Sequence, residues 1–169
     1  LYFAGTKEVA DYYKQKLSKE GGGALYKVDL KPAEDEYLDW DKPLSEQSEK
    51  VRNAISRDRG AVRIDGIEFD DLYGGELYST VSWQTESGEG PAAPFGGNGV
   101  LAQEAASKYL QSLGIRGIRY LDGRSREKGE GHHNYVVFDG ADVAIEEVLA
   151  QKNAPKPRGE IQFHKDEGL

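Results

Sequence analysis

The strongest constraint on the fold of this chain is the irregular order in which strand-like and helix-like apolar patterns follow one another. Short alternating or continuous apolar runs predict strands, and apolar residues at helical spacing predict amphipathic helices. The runs LYKVDL and NYVVFD are the most apolar strand patterns, so we expect both in the core of a sheet. Because strands and helices do not alternate regularly, the pattern predicts an α+β domain with a split, mostly antiparallel sheet and flanking helices. We expect strands at 1–4, 24–31, 37–40, 118–121, 134–139 and 143–148, and helices at 7–19, 45–57, 71–84 and 100–113.

The polar, glycine-rich stretches set the expected domain boundaries. Residues 85–99 contain five glycines and two prolines and predict a loop, as does the polar stretch 122–133. Two further prolines and weak apolar periodicity follow residue 150, so we expect one domain over 1–150. Residues 151–169 are then a linker that leads into a following domain.

Composition excludes several classes of function. The 169 residues carry a formal net charge of −8, which argues against generic binding of nucleic acid. The chain has no cysteine and only three histidines, so thiolate chemistry and a structural zinc site are not expected. No apolar run approaches the roughly 20 residues that span a bilayer, and no membrane partner is expected.

Several motifs together resemble one family. The opening LYFAGTKEVADYY and the later NYVVFD resemble two motifs of ADP-ribosyltransferases of the poly(ADP-ribose) polymerase and diphtheria-toxin type. The segments LDWDKPLSEQ and GIRGIRYLDGRSR add a closer resemblance to a subgroup found in large phage and prophage polyvalent proteins. The resemblance covers about residues 1–148, and it implies an ADP-ribosyltransferase-like fold that uses NAD as a substrate.

The resemblance also implies roles for individual residues. Tyr2 stands where the family has the tyrosine of its His-Tyr-Glu triad, and Tyr13 stands where a second tyrosine stacks on nicotinamide. Two such rings can hold a flat heterocycle between them, and we expect them across one cleft, about 7 Å apart. The family's histidine lies on a strand upstream of the Tyr2 motif, so we expect this chain to lack it. On residue pattern alone, both tyrosines could instead be ordinary core residues.

Asn134 stands where the family has its catalytic glutamate, and it is expected to line the same cleft. An amide donates and accepts hydrogen bonds, but it cannot act as a base or offset positive charge. The substitution leaves two alternatives open, which are mono-ADP-ribosyl transfer assisted by an acceptor carboxylate and loss of activity. Arg124, Ser125 and Arg126 precede this strand and could contact the NAD pyrophosphate, or they could form a solvated loop.

This interpretation leads to two functions. The first is a mono-ADP-ribosyltransferase-like domain of a larger phage or prophage protein or toxin, acting on an unidentified macromolecule for which a protein is the favoured choice. The second is a catalytically inactive module of the same fold that serves protein–protein interaction. In either case we expect it in the cytoplasm of a bacterial host or delivered with a phage particle.

Overall fold

The computed structural model describes residues 1–17, 24–62, 66–96 and 100–151, and within these ranges the domain is a mixed α/β structure. Its sheets are dominated by antiparallel pairs, which agrees with the α+β class expected from the sequence. The elements in chain order are β1 (Tyr2–Ala4), α1 (Lys7–Leu17), β2 (Ala24–Leu30), β3 (Tyr37–Asp39), α2 (Glu49–Ser56), α3 (Gly74–Glu86), α4 (Ala102–Ser112), β4 (Gly117–Leu121), α5 (Gly123–Arg126), β5 (His133–Val137) and β6 (Val143–Gln151).

The main sheet has four strands in the order β1-β5-β4-β3. The β1–β5 and β5–β4 pairs are antiparallel, whereas β3 and β4 are parallel. A parallel pair needs a long crossover, and here the chain between β3 and β4 contains α2, α3 and α4. The expected core strand NYVVFD is β5, which lies between two neighbours and is confirmed as a central strand.

The prediction that the 24–31 strand lies in the core of the sheet is wrong. This segment is β2, and it pairs only with β6 in a separate two-stranded sheet. Tyr26 and Lys27 are exposed, and Leu25 and Val28 are only half-buried. Its apolar residues therefore line a surface groove instead of the core, which periodicity alone could not distinguish.

The hydrophobic core lies between one face of the main sheet and the three long helices of the crossover. Leu38 of β3 and Ile118 of β4 are buried in it against Val51 of α2, Val81 of α3 and Leu110 of α4. Side chains alternate along a strand, so the neighbouring positions Asp39 and Arg119 belong to the opposite face of the sheet. The helices therefore fix β3 and β4 firmly from one side.

Local chemistry explains where the helices begin. Thr6 caps α1, because its Oγ1 accepts a hydrogen bond of 3.3 Å from the Val9 amide. The helix expected from residue 45 begins at Glu49 instead, because Ser48 caps α2 by accepting from the Val51 amide at 3.2 Å. The predicted 122–133 loop also contains one helical turn, α5.

Two remaining expectations concern the linker and the membrane. Strand β6 extends to Gln151, one residue into the predicted linker, and residues 152–169 lie outside the described residues. Among the helices that the structure describes, none has both the length and the apolar character needed to cross a bilayer.

Candidate functional site

A groove with a volume of about 850 Å³ runs between β1 and the β2–β6 sheet. The first residues of the chain, the start of α1 and facing residues of β2 and β6 form its walls. Tyr2 and Ile145 are 79% and 61% exposed on these walls. The volume falls within the range of about 300–1,000 Å³ that is usual for small-molecule sites.

Tyr2 owes its position to a tight strand-to-helix junction. A Cβ at Gly5 would run directly into the carbonyl of His133, so glycine lets β1 end in close contact with β5. Thr6 then starts α1, whose Ala10 also lines the groove. The strand, junction and helix predicted from the opening motif are confirmed, and they deliver the Tyr2 ring to the groove wall.

Tyr13 lies in α1, but its side chain is outside the described residues, as is the side chain of Arg124. The expected separation of about 7 Å between the rings of Tyr2 and Tyr13 therefore stays a prediction.

Asn134 is not at the groove surface. The residue is 3% exposed and is not among the described residues that line this groove. Whether it lines the cleft expected between the rings of Tyr2 and Tyr13 stays a prediction, because the side chain of Tyr13 lies outside the described residues. It lies on β5 between Ala4 of β1 and Tyr120 of β4. Its Oδ1 atom is buried and accepts no hydrogen bond from the described residues. A buried acceptor that has no donor costs stability.

Ser125 holds the loop before β5 in shape. Its amide donates to Oδ1 of Asp122 at 2.8 Å, and its Oγ accepts from the His132 amide at 3.0 Å. The side chain is buried, and a Cβ at Gly131 would collide with the hydroxyl. These contacts give Ser125 a structural role, and it lies outside the groove that contains Tyr2.

Arg126 already has an acidic partner inside the domain. Its Nε atom lies 3.2 Å from Oδ1 of Asp41, and its side chain is about half exposed. It does not line the Tyr2 groove either. The structure thus brings Ser125 and Arg126 to the ends of β3 and β4, and it does not bring them to Tyr2.

The role of the DWD segment is not evident from the sequence. Asp39 is buried and pairs with Arg119, whose Nη2 lies 2.9 Å from Oδ2 of Asp39. Oδ2 of Asp41 accepts a hydrogen bond of 2.6 Å from the Leu121 amide. Gln47 bonds to both the amide and the carbonyl of Asp39, each at 2.8 Å. Residues of the LDWDKPLSEQ and GIRYLDGRSR segments therefore bond to each other, and these bonds give both segments a structural role.

The face of the sheet that points away from the core, where Asp39 and Arg119 lie, also carries a pair of tyrosines and Glu34. The hydroxyl of Tyr135 donates to Glu34 at 3.0 Å, and the Tyr37 ring lies 5.1 Å from the Tyr135 ring in an edge-on contact. Burial, followed by the nearby charge of Glu34, raises the pKa of Tyr135 to about 12. Burial likewise raises the pKa of Tyr37 to about 12. Both phenols are therefore neutral at physiological pH and are unsuited to act as bases.

The groove is better suited to binding a ligand than to acid–base catalysis. Its described lining is apolar and aromatic with two lysines, Lys7 and Lys27, and no carboxylate. Each lysine has an acidic neighbour outside the lining, at 2.7 Å from Asp11 and Glu146 respectively. A flat ring can pack against Tyr2, but no lining group can balance a developing positive charge.

Comparison with known proteins gave no match to a family model, to a curated protein or to a solved structure.

Proposed function

We propose that this chain is an ADP-ribosyltransferase-like domain that binds NAD in the groove beside β1 and supports mono-ADP-ribosyl transfer rather than chain elongation. The observation that carries the proposal is the Tyr2 ring, 79% exposed on the wall of the 850 Å³ groove, at a strand-to-helix junction that leads into the helix of Tyr13. The motif resemblance assigns these two tyrosines to nicotinamide. The groove has room for a ligand of this size.

The limits on the chemistry come from charge. Cleavage of the bond between nicotinamide and ribose passes through an oxocarbenium-like transition state, which a nearby carboxylate stabilises. Asn134 is neutral and the described groove lining has no acid, so these described residues supply no such stabilisation. Transfer would then rely on a carboxylate of the acceptor, for which a protein is our choice. The parent polypeptide in this proposal is a large phage or prophage protein that acts inside the bacterial host or is delivered with the particle.

The proposal is tested by calorimetric titration of the protein with NAD. We expect saturable binding that Tyr2→Ala weakens about two- to tenfold, which corresponds to the loss of one aromatic stack. Trp83→Ala is the matched control, because Trp83 is 65% exposed and does not line the groove. If NAD does not bind at millimolar concentration, or if both variants have equal effects, the NAD proposal fails. A second step incubates the protein with labelled NAD and a protein extract and measures ADP-ribose attached to protein.

A second candidate is a non-catalytic interaction module, and the burial of Asn134 favours it. Asn134 is 3% exposed and carries no acid, so it adds no charge to the groove. The groove then presents a mainly apolar surface, on which Leu1 and Ile145 are both more than half exposed. Under this candidate the groove binds another macromolecule and NAD produces no heat. The same titration therefore separates the two candidates.

A further inference from the structure

A second cavity of about 410 Å³ lies where β3 ends and α3 begins. It shares no residue with the groove that contains Tyr2, so a ligand bound here is independent of the proposed function. Its lining combines two aromatic rings, two carboxylates and two small residues, namely Trp40, Asp41, Tyr73, Gly75, Glu76 and Ser79. We call it the aromatic–acidic pocket.

The fold brings Trp40 against the first turn of α3. A Cβ at Gly75 would lie 2.6 Å from Nε1 of Trp40, so only glycine lets the indole pack on this turn. The first amides of α3 already have acceptors, because Gly74 donates to the Lys42 carbonyl at 2.9 Å and Gly75 donates to the Trp40 carbonyl at 3.1 Å. The start of α3 therefore offers little to an anion, although helix starts often bind one.

The charges of the pocket point to a cation. Its described lining contains no basic side chain. Glu76 uses Oε2 to accept from the Tyr73 amide at 2.8 Å, and among the described residues nothing donates to its Oε1. Asp41 is partly compensated by Arg126 and by the Leu121 amide. Glu76 thus supplies the available negative charge, close to the exposed Tyr73 ring.

We propose that the aromatic–acidic pocket binds an alkylammonium group, carried either by a small quaternary amine or by a lysine side chain of a partner protein. A cation within about 6 Å of the face of a tryptophan or tyrosine ring is attracted by the ring, and a carboxylate beside it adds Coulomb attraction. The pocket offers both kinds of contact and has no cation of its own in the lining.

The test uses tryptophan fluorescence. The chain has two tryptophans, and Trp83→Phe leaves Trp40 as the only one. This variant is titrated with tetramethylammonium chloride, with choline and with 3,3-dimethyl-1-butanol, which has the shape of choline without its charge. Sodium chloride keeps the ionic strength constant. We expect a saturable change of Trp40 emission with both cations and none with the neutral alcohol.

Two substitutions in the same background locate the site. Glu76→Gln removes the charge but keeps an oxygen that can accept from the Tyr73 amide, so the start of α3 stays capped. Tyr73→Leu removes the ring and keeps apolar bulk. We expect each to weaken binding of tetramethylammonium about two- to fivefold, the range of one exposed cation–ring contact for Tyr73→Leu and of one exposed ion pair for Glu76→Gln. Tyr26→Leu, which alters an exposed tyrosine of the other groove, is the control and should leave binding unchanged.

The source of the cation is distinguished with peptides. Tighter binding of a peptide that contains lysine or trimethyllysine than of tetramethylammonium assigns the pocket to a protein partner, whereas equal binding assigns it to a free amine. Equal response to choline and to the neutral alcohol overturns the proposal. So does a response that both pocket substitutions leave intact.

Discussion

Replacing Asn134 with aspartate tests whether this triad position is buried. The side chains have nearly the same shape, so the substitution changes charge with little change in packing. The position is 3% exposed, and its cross-strand neighbours Ala4 and Tyr120 carry no positive charge. Burial should therefore raise the pKa of the new carboxyl well above its ordinary value of about 3.9.

The sign of the effect on stability depends on this direction. The pKa of this carboxyl is higher in the folded than in the unfolded state. The free energy of unfolding of the variant is therefore closest to that of the wild type at a pH below the pKa of the unfolded state, and it falls as the pH rises towards the pKa of the folded state. A shift of about 3 units, the lower end for fully buried groups, corresponds to about 4 kcal/mol once the pH exceeds the folded pKa. We expect the Asn134→Asp variant to be close to the wild type at pH 4 and about 4 kcal/mol less stable at pH 8.

Urea unfolding at pH 4 and pH 8, followed by far-ultraviolet circular dichroism, measures this difference against the wild type at each pH. Asn53→Asp is the matched control, because Asn53 is exposed on α2 and its substitution should change stability by less than about 0.5 kcal/mol at either pH. The reasoning is refuted if the Asn134→Asp variant loses no more stability at pH 8 than at pH 4. That outcome would mean that water reaches position 134, as the cleft implied by the motif resemblance requires.

Two further predictions concern the main sheet. Gly117→Ala should destabilise the domain by about 3 kcal/mol or more in urea unfolding, because the new Cβ would collide with the Val136 carbonyl and the Tyr37 ring, whereas Gly60→Ala, with nothing within 4 Å of its Cβ, should stay within about 0.5 kcal/mol of the wild type. Gln47→Ala should lower the free energy of unfolding by about 2–4 kcal/mol, because it leaves the buried Asp39 amide without its acceptor and removes a donor to the Asp39 carbonyl; a loss below about 1 kcal/mol in thermal or urea unfolding would contradict this.

The sequence predicted the order and type of the main elements because their apolar periodicity is local. Leu38 and Ile118 come from strands whose apolar character is plain in the sequence, and both are in the core. It did not predict that the 24–31 strand leaves the main sheet, because alternation shows that one face is apolar and does not show what that face packs against.

The candidate site was predicted less well for a related reason. Tyr2 lines a groove, whereas the burial of Asn134 depends on strands β1 and β4, which are far apart from each other in the sequence. The acids of the DWD segment look solvated in sequence because their partners, Arg119 and the Leu121 amide, lie about 80 residues further on. One feature of the sequence did point to this arrangement. Gln47 follows Asp39 by only 8 residues, which permits its two hydrogen bonds to the Asp39 backbone.

The pairing of β1 with β5 has a consequence for how fast the domain forms. The terminal ammonium of Leu1 donates to the Val137 carbonyl, 136 residues away, and the Leu1 carbonyl accepts from the Val137 amide. Strand β2 likewise pairs only with β6. Closing such large loops costs chain entropy before any contact compensates for it, so domains rich in distant contacts fold slowly. On the ribosome, β1 and β2 emerge long before their partners β5 and β6 are made. The groove wall that bears Tyr2 is therefore among the last surfaces to be completed, and until then its exposed apolar side chains are open to chaperones or to misassembly.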